Sequence, residues 1–240
     1  MAAINDNLQA VGARIRRAAL SAGRDPAAVR LLAVSKTQPP AAVIQAFAAG
    51  QRSFGENYIQ EALDKQAALD EPLGPERARM IEWHLIGPLQ SNKTRAAAGS
   101  FDWVHTIDRL KVARRLSEGR SEASSPLNVL IQVNVSGEST KSGVPPEEVA
   151  ALARQVAELP HLRLRGLMAI PEPTVDTSLQ RERFRVVREL FERLNEDGFL
   201  LDTLSMGMSQ DLESAVAEGA TMLRIGTAVF GERVGAKVAA

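Results

Sequence analysis

Asn128–Asn134 reads NVLIQVN, a short apolar run, and Pro145, Pro146, Glu147 and Glu148 follow it after a polar interval. Those four residues open a helix: a first-turn proline gives up no hydrogen bond, and a carboxylate meets the positive end of the helix dipole. Val149, Leu152, Val156 and Leu159 then supply one apolar stripe. The next apolar run, Leu162–Ile170 (LRLRGLMAI), comes directly after that helix. A strand that returns through a helix runs parallel to its predecessor, so this stretch predicts a βαβ unit.

The same alternation extends in both directions. Toward the amino terminus lie Arg30–Lys36 (RLLAVSK), Arg52–Glu56 (RSFGE), Glu82–Gly87 (EWHLIG) and Trp103–Ile107 (WVHTI); toward the carboxyl terminus lie Thr203–Met208 (TLSMGM) and Met222–Thr227 (MLRIGT). A helix is predicted from about Ser178 to Asp197, with Phe184, Val187, Phe191 and Leu194 inward and Gly198 as its stop. Another precedes the first strand, with Ile4, Leu8, Val11, Ile15 and Ala19 on one face and Gly23 after it. Eight βα repeats in 240 residues predict an α/β fold, a single (β/α)8 TIM barrel with an extra N-terminal helix, taking residues 1–240 as one domain. An open doubly wound sheet is the alternative, but the G-x-G-x-x-G turn expected after its first strand is missing.

Composition narrows the function. There is no cysteine, which excludes disulfide scaffolds, zinc-thiolate sites and cysteine nucleophiles. Basic and acidic residues balance at 29 each, so the clustered positive charge that nucleic-acid binding needs is not expected. The N-terminal stretch carries Asn5, Asp6, Asn7 and Gln9 where a secretory signal would be apolar, and no run approaches the length of a membrane span, so a cytoplasmic protein is expected. His84, His105 and His161 form no H-E-x-x-H pattern, and no metal site is expected; His84 and His105 read as core imidazoles. The stretch QRERFRVVRELFER alternates arginine and glutamate as a salt-bridged helix surface would.

The chemistry-bearing residues fall at strand ends. Only six lysines occur, against 23 arginines. Lys65 and Lys111 fall on polar helix positions and Lys237 in a tail, where solvated charge suffices. Lys36 instead closes the first strand, and alternation puts it on the face of Leu32 and Val34. If that face lines the barrel, desolvation favours its free amine and Schiff-base chemistry. The seventh and eighth strands lead into Ser205-Met-Gly-Met-Ser209 and Arg224-Ile-Gly-Thr227, loops that in barrels commonly cradle phosphate, with Ser209 reading as the cap of a helix from Gln210 to Glu218. Arg224 shares a face with Met222 and Gly226 and would point inward. An amine, an anion loop and an inward guanidinium fit one ligand, pyridoxal 5′-phosphate (PLP), through its aldehyde, phosphate and ring nitrogen.

AVSKTQP (33–39), FGENYIQE (54–61), WHLIGPLQSNK (83–93) and SMGMSQDLESAVAEGATMLRIGTAVFG (205–231) resemble the pyridoxal phosphate homeostasis protein family, also known as YggS or PROSC. That family's fold is the barrel domain of alanine racemase without its second domain. The resemblance implies Lys36 as the aldimine lysine; Ser205, Ser209, Gly226 and Thr227 around the phosphate; Arg224 at the pyridine nitrogen; and Asn57 near the cofactor. Leu85 stands where relatives usually carry Phe or Met.

These readings lead to a PLP-binding homeostasis protein that holds the cofactor reversibly on Lys36 without catalysis of its own. PLP itself, other B6 vitamers and PLP-dependent apoenzymes are the expected partners, with no nucleic acid and no membrane, and the expected state is a monomer. An arginine at the ring nitrogen weakens the ring as an electron sink, and the length leaves room for the barrel alone, which argues against racemase chemistry. Tyr58 reads as a packing or rim residue. An amino-acid racemase or lyase using the same aldimine is the alternative, and a Schiff-base aldolase for sugar phosphates is a third reading that gives Arg224 no role.

Overall fold

In the computed structural model, which describes residues 2–136 and 142–231, each of the eight apolar runs forms a strand, and the strands close on one another. They are β1 (Arg30–Val34), β2 (Ser53–Glu56), β3 (Glu82–Leu85), β4 (Trp103–Ile107), β5 (Leu127–Val133), β6 (Leu162–Ala169), β7 (Thr203–Ser205) and β8 (Met222–Ile225). Each pairs with its neighbours in parallel, and β8 pairs with β1, which makes a (β/α)8 TIM barrel. Lys141 and Lys237 lie outside the described residues.

The helices alternate with the strands. Among the described residues α1 (Ala2–Ser21) precedes the barrel, and α2 (Pro40–Ala48), α3 (Ile59–Leu73) with the short α4 (Pro75–Ala78), α5 (Thr94–Ser100) and α6 (Leu110–Gly119) follow β1 to β4. The second half continues with α7 (Val149–Ala157), α8 (Thr177–Glu196), α9 (Leu212–Ala217) and α10 (Thr227–Phe230). α7 buries Val149, Leu152 and Val156. α8 buries Phe184, Val187 and Leu194, with Phe191 partly covered, and Asp176 caps it by accepting from the N–H groups of Ser178 and Leu179. The arginines of α8 reach farther than a helix surface of internal pairs: Arg181, Arg185 and Arg188 all converge on the buried carboxylate of Glu218, just past α9.

Strand alternation sorts the core into two layers. Ala33, Phe54, Val104, Ile131, Leu167 and Leu223 point outward and pack under the helices. Leu32, Val34, Ile86 and Met222 form a separate interior cluster, and Trp103, Leu130 and Met168 form another. The rest of the described interior is polar, for His84, His105, Ser205 and Arg224 are all buried there. Because each strand is covered on both faces, the runs read as mostly apolar segments, broken where these interior polar residues fall.

Most strands are shorter than their apolar runs, at the carboxyl end in every case but β2, which instead begins one residue late. Lys36, Gly87, Asn134, Ile170, Met206–Met208 and Gly226–Thr227 all lie beyond the last strand residue. These are rim loops, the end of a barrel where binding groups collect. Among the described residues no helix is long and apolar enough to cross a membrane.

Candidate functional site

The register of three adjacent strands gathers the predicted residues. Arg224 on β8 lies opposite Leu32 on β1, and Ile225 opposite Ala33. One step further Gly226 reaches Val34, so closely that a Cβ on Gly226 would stand 3.2 Å from the Val34 carbonyl oxygen. On the other side Val34 lies opposite Gly55 of β2, which carries Lys36 and Asn57 out of the sheet at the same level. Lys36, Asn57, Gly226 and Thr227 therefore share one arc of the rim, with Arg224 below them inside the barrel. Lys36 and Asn57 are half-buried and Thr227 is exposed.

The chain turns sharply at Lys36. Thr37 has a φ of 63°, a left-handed conformation that is unfavourable for a β-branched residue. Its N–H donates to Glu61 Oε1 and its hydroxyl to the Lys36 carbonyl oxygen, so two bonds hold the strained turn that presents Lys36.

Arg224 is 4% exposed, and the partners of its guanidinium decide what it can do. Nη1 donates to the Ser205 carbonyl oxygen at 2.5 Å and to Ser205 Oγ at 2.8 Å, and Nη2 donates to the Ala169 carbonyl oxygen at 2.7 Å. All three acceptors are neutral. Among the described residues no carboxylate bonds to it, and burial lowers its pKa to about 10, with Asp211 opposing at longer range. A buried cation with only neutral acceptors retains the capacity to bind an acceptor on a ligand. Ser205 is itself fully buried, so the structure places its hydroxyl inside the barrel beside Arg224 rather than on the rim loop that holds Ser209.

The two candidate anion loops are tied to α1. Arg14 donates to the Ser209 carbonyl oxygen at 2.7 Å while pairing with Glu213 on α9, and Asn7 donates to the Val229 carbonyl oxygen on α10. Ser209 does not cap α9 as expected. The helix begins at Leu212 and Asp211 takes the cap position, its carboxylate accepting from the Met208 N–H at 2.6 Å. Gly207, with a φ of 95°, turns the chain before Ser209, which lies in the loop ahead of α9. An alanine Cβ there would stand 2.5 Å from Ala215 Cβ and 2.7 Å from Leu223 Cδ2. Gly207→Ala is thus expected to destabilise the fold by about 1–3 kcal/mol through the backbone and overpacking together. Chemical denaturation checks it; an unchanged midpoint would show that the loop adapts.

Lys65 is a correction. It is 3% exposed, not solvated, and its Nζ donates to Glu56 Oε1 at 2.6 Å and to the Ser35 carbonyl oxygen at 2.7 Å, with Glu61 Oε1 at 3.2 Å. Ser35 Oγ donates to the same Glu56 oxygen at 2.6 Å. The buried pair braces the residue before Lys36 from outside the sheet. Its sequence signal was spacing: Ala62, Lys65, Leu69 and Leu73 are the buried positions of α3, one stripe at intervals of three and four. Lys111 is exposed, as expected. His84 and His105 are core imidazoles as expected, and His105 touches both His84 and Ser205, a contact that their spacing does not signal. Tyr58 is 61% exposed on the rim before α3.

The chain is similar to several known proteins. Residues 6–234 match the family described as alanine racemase, N-terminal domain. The pyridoxal phosphate homeostasis protein of Pseudomonas aeruginosa is 61% identical over 234 residues, covering 97% of each chain. Its Escherichia coli counterpart is 53% identical over 230 residues, 96% of this chain and 97% of that one. Among solved structures, PipY of Synechococcus elongatus with PLP bound has a TM-score of 0.80 at 37% identity, covering 95% of this chain and all of that one. An alanine racemase of Clostridium difficile has a TM-score of 0.72 at 13% identity, over 99% of this chain and 59% of that one, which shows a shared fold.

Proposed function

The chain belongs to the alanine racemase N-terminal domain family and, within it, to the pyridoxal phosphate homeostasis proteins, and from that premise we propose how its residues hold the cofactor. It is a PLP-binding protein of cofactor homeostasis, not named among enzymes in its relatives. Lys36 Nζ captures the cofactor's aldehyde reversibly, the loops at Ser209 and Gly226–Thr227 take the phosphate, Arg224 meets the ring nitrogen, and Asn57 lines the rim beside Lys36. The observation that carries this reading is the buried Arg224 guanidinium bonded only to neutral acceptors one strand from Lys36.

Bound in this arrangement, PLP supplies an aldehyde that a primary amine can take up and release. The chain's part is placement and charge. Arg224 keeps its proton, because a pKa of about 10 is still well above neutrality, so it donates to a ring nitrogen and does not protonate it. That disfavours the build-up of negative charge in the ring that carbanion chemistry requires. Ser209 and Thr227 bring hydroxyls suited to a phosphate.

The same reading takes residues 1–240 as one cofactor-binding barrel acting as a cytoplasmic monomer, with other B6 vitamers as further ligands and PLP-dependent apoenzymes as recipients. Titrating purified protein with PLP is expected to produce an absorption band that borohydride converts to a stable adduct. Protein that stays colourless would refute the reading and favour a Schiff-base aldolase. Sustained exchange of an amino acid's α-proton in deuterated water would place the chain with the racemases and lyases.

A further inference from the structure

Five side chains cross the barrel in single file. From the cofactor side, Arg224 Nη1 lies 2.8 Å from Ser205 Oγ, Ser205 Oγ 3.0 Å from His105 Nδ1, and His105 Nε2 2.9 Å from His84 Nδ1. His84 Nε2 ends the file 3.1 Å from Glu82 Oε2, a close polar contact rather than an aligned hydrogen bond. Glu82 opens β3 at the opposite mouth, where Arg30 and Ser53 donate to the same oxygen and Trp103 Nε1 donates to the other at 2.7 Å. Ser205 and both imidazoles are fully buried, so water does not compete for these groups.

The two ends fix the direction of every bond between them. Arg224 can only donate and an ionised Glu82 can only accept. Burial alone would push the Glu82 carboxyl up, but the close contact from His84 and the hydrogen bonds from Trp103 and Ser53 outweigh it and hold the group below the usual carboxylate range. His84 must then present Nε2–H to Glu82. Burial lowers the pKa of His84, with Glu82 only partly opposing, and that of His105 further, with the charge of Arg224 adding to the effect, so both rings are neutral. A neutral His84 leaves Nδ1 bare, which requires His105 to donate from Nε2 and to accept at Nδ1 from the Ser205 hydroxyl. Ser205 Oγ is left with its lone pairs toward Arg224. Every donor points from the guanidinium to the carboxylate.

We propose that His105 and His84, anchored on Glu82, are positioning residues that orient the Ser205 hydroxyl and through it hold Arg224 at the floor of the cofactor site. This deepens the proposed function and rests on Arg224 meeting the cofactor. A hydroxyl free to rotate could turn its hydrogen toward the guanidinium and push it away; with His105 accepting that hydrogen, only an oxygen lone pair faces Arg224. One pose of the guanidinium then serves each cycle of cofactor uptake and release.

The test has two arms. In cofactor-free protein labelled with 15N-histidine, the expected spectrum shows both buried rings neutral and protonated on Nε2, with a 15N–15N coupling through the hydrogen bond from His105 Nε2 to His84 Nδ1. Absence of that coupling, or a proton on Nδ1 of either ring, would overturn the relay. In the second arm PLP affinity is measured for His105→Phe, which keeps ring packing against Trp103, and for Ser205→Ala, which removes one oxygen. Each is expected to weaken PLP binding about tenfold, the usual scale for one lost buried hydrogen bond, while borohydride still traps the adduct on Lys36. His105→Gln can accept and donate at once, and is expected to recover at least half of the loss on a logarithmic scale. Affinities within twofold of wild type in the folded variants would overturn the positioning role; should His105→Phe not fold, Ser205→Ala decides alone. If wild-type protein binds no PLP, the proposed function fails, while the spectrum still reports on the relay.

Discussion

Lys36→Ala is expected to abolish both the absorption band formed with PLP and the borohydride-trapped adduct, while the folded state persists. The completeness of the loss follows from how few amines can compete. Lys65 is buried and paired with Glu56 behind the sheet, and Lys93 and Lys111 are exposed positions at the start of α5 and on α6. An exposed lysine there has no anion loop or inward guanidinium beside it, so any adduct is weak and unselective. Lys36 has Gly226 and Thr227 on one side of it and Asn57 on the other, above Arg224. Folding should survive, since Lys36 is only half-buried at a rim turn whose strain is held by Thr37 and Glu61. Mass mapping of the reduced protein checks the site: a stoichiometric adduct on Lys93, or on Lys141 or Lys237, in the Lys36→Ala protein would sink the assignment.

The barrel was legible in the sequence because its physics is local and repeated. Each buried strand needs an apolar run and each covering helix an apolar stripe, and eight such pairs leave little choice of architecture. Run ends are less legible: TLSMGM stays apolar past the sheet, where Met206 is fully buried although it lies beyond the last residue of β7. The candidate site was readable where function needs an unusual residue at a strand end, as with Lys36 and Arg224. It was illegible where the information lies between strands. His84, His105 and Ser205 come from β3, β4 and β7, and only closure of the barrel brings an oxygen from position 205 within 3.0 Å of a ring at position 105. Lys65 differs in kind: a lysine's residue type suggests solvated charge, while its place in the stripe of Ala62 and Leu69 marks it as buried.

Lys65→Met carries the largest expected cost in stability, and pH reveals its cause. Methionine fills a similar volume, so packing changes little. What changes is Glu56, which is fully buried, has one oxygen with no hydrogen-bond partner, and depends on Lys65 for its counter-charge. Breaking a buried ion pair by removing one partner typically costs about 3–5 kcal/mol, because the remaining charge stays buried. For a chain of this size that is a fall in Tm of roughly 6–20 °C. Burial already raises the pKa of Glu56, with Lys65 and Ser35 opposing, and deleting the cation removes the largest opposition. A carboxyl whose folded pKa lies above its unfolded value favours the folded state when protonated; that stability is present below the unfolded pKa and is lost as pH rises through the folded one. The deficit of Lys65→Met against wild type should therefore be smallest near pH 5 and grow toward pH 8, and Lys65→Met with Glu56→Gln should recover much of it at pH 8. Urea denaturation at the two pH values measures this directly. A deficit as large at pH 5 as at pH 8 would show that the loss is one of packing and of the Ser35 tether, not of an uncompensated charge. The functional consequence follows from the same bonds: Lys65 Nζ holds the Ser35 carbonyl oxygen, one residue before Lys36, so the variant should also form the PLP adduct more slowly even where it remains folded.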